Sequence, residues 1–139
     1  MRYPRGWHAT SARLTPVTGP VQVLAVASYL LPHDDRGADG CEPKEALDRL
    51  PPGGAFIFGW EYGSARDAGK LPPRPKHFKL DDFAGFECLG PSYVLRFREA
   101  GRYFQIHVAL GPHAGAQTRV TVLRVLDSFR ATRRTQRRP

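Results

Sequence analysis

The sequence predicts one α+β domain: a mainly antiparallel sheet packed against a long C-terminal helix and a short helix. Three observations carry this. Tyr93 to Leu110 alternates apolar and polar residues on either side of Glu99-Ala100-Gly101-Arg102, the pattern of a β-hairpin. Val122, Val125, Leu126 and Phe129 fall at i, i+3, i+4 and i+7, the apolar stripe of an amphipathic helix running from about Ala116 to Arg130. The length of 139 residues and apolar content of 41% suit a single soluble domain. A chain of that size buries roughly 68–70% of its unfolded surface without needing a metal or many disulfides.

From the N terminus, a short strand is expected around Arg2 to Ala9, broken by Pro4-Arg5-Gly6. A second runs through Val21 to Leu31, with Thr18-Gly19-Pro20 before it and Pro32 after it as turn signals. That apolar run of 11 residues is too short to span a bilayer, which takes about 20. It has the length of a signal-peptide core, but its Ala-x-Ala at Ala25 to Ala27 lies inside the run, and a buried strand fits better. Pro43 suits the first turn of a short helix through Leu50, which Pro51-Pro52-Gly53-Gly54 ends. Ala55 to Tyr62 (AFIFGWEY) is aromatic and β-branched, the composition of a buried or half-buried strand. Gly63 to Lys79, with Pro72, Pro73 and Pro75, is expected to be a long loop, and a further strand precedes the hairpin.

The net charge of +8, from 21 basic and 13 acidic residues, is unevenly placed. The last ten residues hold Arg130, Arg133, Arg134, Arg137 and Arg138 and no acid; without them 16 basic and 13 acidic residues remain, a net of +3. The expected organisation is therefore a domain over residues 1–130 and a basic, disordered tail over 131–139. Such a tail could track phosphates or an anionic surface, with salt-sensitive affinity and no sequence readout. Arg outnumbers Lys 17 to 4, a bias that a GC-rich genome explains.

Chemistry-bearing motifs are sparse. Gly63-Ser64-Ala65-Arg66 is not a nucleophile elbow, and no phosphate-binding glycine loop occurs. The acidic stretch Asp34 to Gly40 fails as a calcium loop at Gly37 and at Ala46, where side-chain oxygens are required. The five histidines show no paired metal-ligand spacing. No catalytic, cofactor-binding or metal residues are therefore expected. The most site-like constellation is the polar face of the hairpin, Arg96, Arg98, Gln105 and His107. There two guanidiniums beside an imidazole could receive a carboxylate or phosphate. The same face also reads as an ordinary solvent-facing strand surface. An enzymatic site from His107, Arg96 and Glu87 has no motif behind it. Cys41 and Cys88 are either one disulfide or two buried thiols.

Tyr3-Pro4-Arg5-Gly6-Trp7, the hairpin Tyr93 to Leu110 and the closing Val122-Leu123-Arg124-Val125-Leu126-Asp127-Ser128-Phe129 resemble a group of uncharacterised actinobacterial domains with a PsbP-like fold. The resemblance implies an antiparallel sheet between helices, with Trp7 filling the core at a strand end and Ser128-Phe129 seating the last helix. It implies a non-enzymatic binding or interaction domain without cofactor, often held at the cell envelope behind a signal or anchor. The chain as written starts at the Tyr-Pro-x-Gly-Trp strand. Localisation thus stays open between the cytoplasm and, if a leader precedes this start, an extracellular or envelope site. The partner expected is an unidentified protein or small ligand, with nucleic acid reached only through the tail.

Overall fold

A computed structural model describes residues 1–38, 40–86 and 88–135. Among these, six strands form one antiparallel sheet: β1 (His8–Ala9), β2 (Val21–Ala27), β3 (Ala55–Tyr62), β4 (Phe83–Phe86), β5 (Gly90–Glu99) and β6 (Arg102–Leu110). Their spatial order is β1-β2-β3-β6-β5-β4. Three helices accompany the sheet: α1 (Lys44–Asp48), α2 (Ala65–Ala68) and α3 (Ala116–Ser128).

The hairpin forms as its alternation predicts, in the register Arg96 opposite Gln105 and Phe97 opposite Phe104. Its two-residue turn places Ala100 at φ 53° and Gly101 at φ 72°, both in the left-handed region that matches the twist of the flanking strands. The first strand shrinks to His8–Ala9 because Pro4 to Trp7 closes a turn, with the Trp7 N–H donating to the Pro4 carbonyl at 3.1 Å. The second ends at Ala27 and not at Leu31: the chain leaves the sheet at Ser28, whose hydroxyl accepts the Ala55 N–H at 2.9 Å. The expected loop from Gly63 to Lys79 contains α2, whose first turn is capped by Ser64 accepting the Asp67 N–H.

The C-terminal helix is an ordinary one of 13 residues, shorter than expected. Phe129 turns to extended backbone and directs its ring edge-on to Phe97 and Phe104, at 6.3 and 5.4 Å between centroids. Packing of that one ring against the core ends the helix two residues early.

Both faces of the sheet are covered. On the first, Leu24, Val26, Ile57, Phe97, Phe104, Ile106 and Val108 meet Val122, Val125 and Leu126 of α3. Each of these three helix side chains contributes about 1.5–3 kcal/mol by leaving water. On the second, Ala25, Ala27, Phe56, Phe58, Trp60 and Ala109 are covered by Leu14, Leu31, Ala46 of α1, and Leu89. This explains why β3 is apolar at consecutive positions, since neighbouring residues point into different cores. Gly111 ends β6 under the Pro51-Pro52 carbonyls, which a Cβ at that position would strike.

Candidate functional site

The four polar residues of the hairpin share a sheet face, as their period requires, but not an environment. Arg96 and Arg98 on β5 are exposed, whereas Gln105 and His107 on β6 are buried. The expectation of a solvent-facing strand surface is therefore corrected for these two. The second core layer, reached from segments far away in sequence, closes over β6. Within it, Tyr62 donates its hydroxyl proton to Gln105 Oε1 at 2.9 Å, which leaves the Gln105 amide to donate to His107 Nε2 at 2.9 Å. His107 Nε2 is thus an acceptor, so Nδ1 carries the proton and faces Ser92 Oγ at 3.3 Å. Burial, with a smaller contribution from the Arg96 charge, pulls the imidazole down to about 4, and it is neutral at pH 7. Trp60 packs edge-on against it, 5.4 Å between ring centroids.

Arg96 instead opens onto a groove of about 550 Å³ beside β5. Its other wall is the proline loop, contributing Pro72, Pro73, Pro75, His77 and Lys79, with Asp81 and Asp82 at one end. The loop is held there by backbone and side chain together. The Arg98 N–H donates to the Pro72 carbonyl at 2.8 Å and the Arg74 N–H to the Arg98 carbonyl at 2.9 Å, so the loop covers part of the sheet edge. Asp127, at the end of α3, accepts the Phe78 N–H at 2.8 Å and meets His77 Nδ1 at 3.0 Å. Arg98 is used in this support, its Nε donating to the Leu71 carbonyl at 3.2 Å.

Glu61 went unnoticed in the sequence, where the sign was one acid inside an apolar strand. It is buried and accepts both prongs of Arg102, Nε at 2.9 Å and Nη2 at 2.7 Å, and also Arg134 Nη2 at 2.9 Å. These guanidiniums, the Arg102 hydrogen bond foremost, hold its carboxyl below the usual range despite burial. Arg134 comes from the basic arm, and two further bonds lay the arm against the hairpin end. The Ala131 N–H donates to Glu99 Oε2 at 2.8 Å, and Arg102 Nη1 donates to the Thr132 carbonyl at 3.3 Å. Arg130 and Arg133 are exposed. Arg137 and Arg138 lie outside the described residues, as do Glu87 and Asp39.

Cys41 and Cys88 come together at disulfide distance, Cα atoms 4.9 Å apart, at the margin of the second core. Among the described residues, no group of three or more His, Cys, Asp or Glu could hold a metal ion. No helix among them is long and apolar enough to cross a membrane. Compared with known proteins, the chain matches no family profile, no curated protein and no solved structure.

Proposed function

We propose that this chain is a non-enzymatic binding or interaction domain of the PsbP-like kind, acting at the cell envelope, with the groove beside β5 as its working surface. The observation that carries the reading is the groove itself. It is a recess of about 550 Å³ between a sheet edge and a loop tied to α3, lined by proline rings, one exposed guanidinium and two carboxylates. Preformed concave sites with a few fixed polar groups are where ligands bind. His107, the imidazole of the hairpin's polar face, is fully buried and does not line the groove, which supports a binding reading of that groove. Helices on opposite faces of an antiparallel sheet, with Trp7 and Phe129 packed on the first core, support the PsbP-like assignment. The apposed cysteines suit an oxidising compartment.

The test is an NMR screen of the ¹⁵N-labelled chain against a small-fragment library. Shift changes should cluster on Lys79, Asp82, Val94, Leu95 and Arg96, and Arg96→Ala should weaken the hits while the fold is retained. Hits that cluster elsewhere overturn the placement. A second reading, binding of nucleic acid or an anionic surface through the arm, draws on the exposed Arg130 and Arg133. It requires affinity that falls steeply with salt and disappears when the chain is cut after Phe129.

A further inference from the structure

We propose that the groove between the N-terminal segment and α3 is a second binding site, one for a phosphate-type oxyanion gripped by Arg2 and Arg124. The groove encloses about 480 Å³, and Arg2, Tyr3, Thr121, Arg124 and Ser128 line it. Thr121, Arg124 and Ser128 lie at i, i+3 and i+7 and so form one stripe along the helix. The N-terminal segment is clipped to that stripe: Ser128 Oγ accepts the Arg2 N–H at 2.7 Å, and its own proton lies between the carbonyls of Val125 and Arg2. The clip fixes the Arg2 backbone, and with it the base of the guanidinium arm, beside Arg124.

Charge separates this groove from the others. The recess beside β5 carries Asp81 and Asp82, the one at the hairpin turn carries Glu61, and the one at α1 carries Asp34 and Glu45. At the hairpin turn Arg102 and Arg134 are paired with Glu61, and at α1 Arg49 is paired with Glu45 and Arg36 with Asp34. Among the described residues, no carboxylate lines the groove at α3. The one acid of α3, Asp127, is turned away to Phe78 and His77. The carbonyl end of the helix offsets only about half a charge, against two full positive charges. A net positive recess therefore remains, with two planar forks that suit an oxyanion with several acceptor oxygens. Tyr3, 45% exposed at the rim, offers an aromatic face to whatever carries the phosphate. The ligand chemistry is that of a phosphate ester, carried either by a soluble molecule or by a lipid head group.

The test titrates the ¹⁵N-labelled full chain with phenyl phosphate, and in parallel measures its binding to phosphatidylglycerol and phosphatidylcholine vesicles. Saturable shifts are expected at Arg2, Tyr3, Thr121 and Arg124. Arg124→Gln should weaken phenyl phosphate by about tenfold or more, the loss of one charge-assisted bidentate contact. Arg124→Lys should lie in between, because it keeps the charge and loses the fork. Arg124 is exposed, so both variants should melt with the parent chain. Binding to phosphatidylglycerol vesicles that Arg124→Gln also abolishes assigns a lipid source, and phenyl phosphate binding without vesicle binding assigns a soluble one. The proposal is overturned if shifts fail to saturate or map to the arm, if chloride competes as well as phosphate, or if Arg124→Gln changes affinity less than twofold.

Discussion

Cys41 and Cys88, 47 positions apart, close a loop that carries α1, β3, α2 and β4, four of the nine elements among the described residues. A bridge between them acts mainly on the unfolded chain, whose freedom it restricts. For a loop of this length the entropy relation gives about 4 kcal/mol at 25 °C. Replacing both residues by Ala forfeits that contribution and costs little packing, because both lie at the edge of the second core. A domain of this size unfolds with an entropy of about 0.3 kcal/mol/K, so the loss corresponds to a fall in Tm of about 14 °C. Thermal unfolding followed by circular dichroism should show the Cys41→Ala/Cys88→Ala variant and the reduced parent melting together, well below the oxidised parent. Thiol titration of the unreduced, denatured chain should find no free thiol. A variant melting within about 3 °C of the parent, a difference of about 1 kcal/mol, would falsify the reasoning, since packing alone would then hold the loop. Two titratable thiols in the unreduced protein would show directly that no bridge forms.

Three further outcomes follow from single positions. His107 titrates near 4 when folded and near 6.5 when unfolded, so the unfolded chain binds the extra proton between those values. Stability is then complete above about pH 6.5 and falls by about 3 kcal/mol as pH drops toward 4. Urea midpoints measured from pH 4 to 7 should show a much flatter profile for His107→Gln, and an unchanged profile rules out the imidazole as its source. Ala100 occupies the left-handed region at φ 53° without being Gly or Asn. Ala100→Asn creates the Asn-Gly turn and should raise stability by about 0.5–1 kcal/mol, read as a rise of 2–3 °C in Tm; a lower Tm contradicts the turn assignment. Glu61→Gln leaves Arg102 facing a neutral amide in a mostly buried setting and should cost about 2–3 kcal/mol in denaturant unfolding. A loss under 0.5 kcal/mol would show that the pair contributes only as a surface contact.

Local patterns foretold the elements well because each has a local cause. The alternation of Tyr93 to Leu110 and the stripe of Val122, Val125 and Leu126 are properties of short segments, and the hairpin and helix formed where they lie. Two of the misreadings, at Gln105 with His107 and at Phe129, share one origin, contacts between distant segments. Gln105 and His107 look like solvent-facing residues within β6, and nothing nearby in sequence announces their cover. The core on that face is assembled from Leu14, Leu31, Ala46 of α1 and Leu89, with Cys41 and Cys88 at its margin, and Trp60 of β3 packs on His107. Local signs of a second core were in β2 and β3, where Leu24 to Ala27 and Phe56 to Phe58 are consecutive apolar residues that cannot share a face. Likewise Phe129 ends α3 early for the sake of Phe97 and Phe104, which precede it by more than twenty residues.

The second core also decides where recognition can take place. A sheet wetted on one face could present Arg96, Arg98, Gln105 and His107 together as a platform. With both faces closed, polar groups in the middle of the sheet must satisfy one another, as Tyr62, Gln105, His107 and Ser92 do. Among the exposed charged groups, three sets face recesses at the sheet edge, at the hairpin end and on the outer side of α3. Arg96 opens at the first of these, Arg133 at the second, and Arg2 with Arg124 at the third. Of the three, only the third assembles its cations with no carboxylate beside them among the described residues. Anion recognition by the folded domain is therefore assigned to α3, and the groove beside β5, with acids and bases together, is left to ligands bearing both.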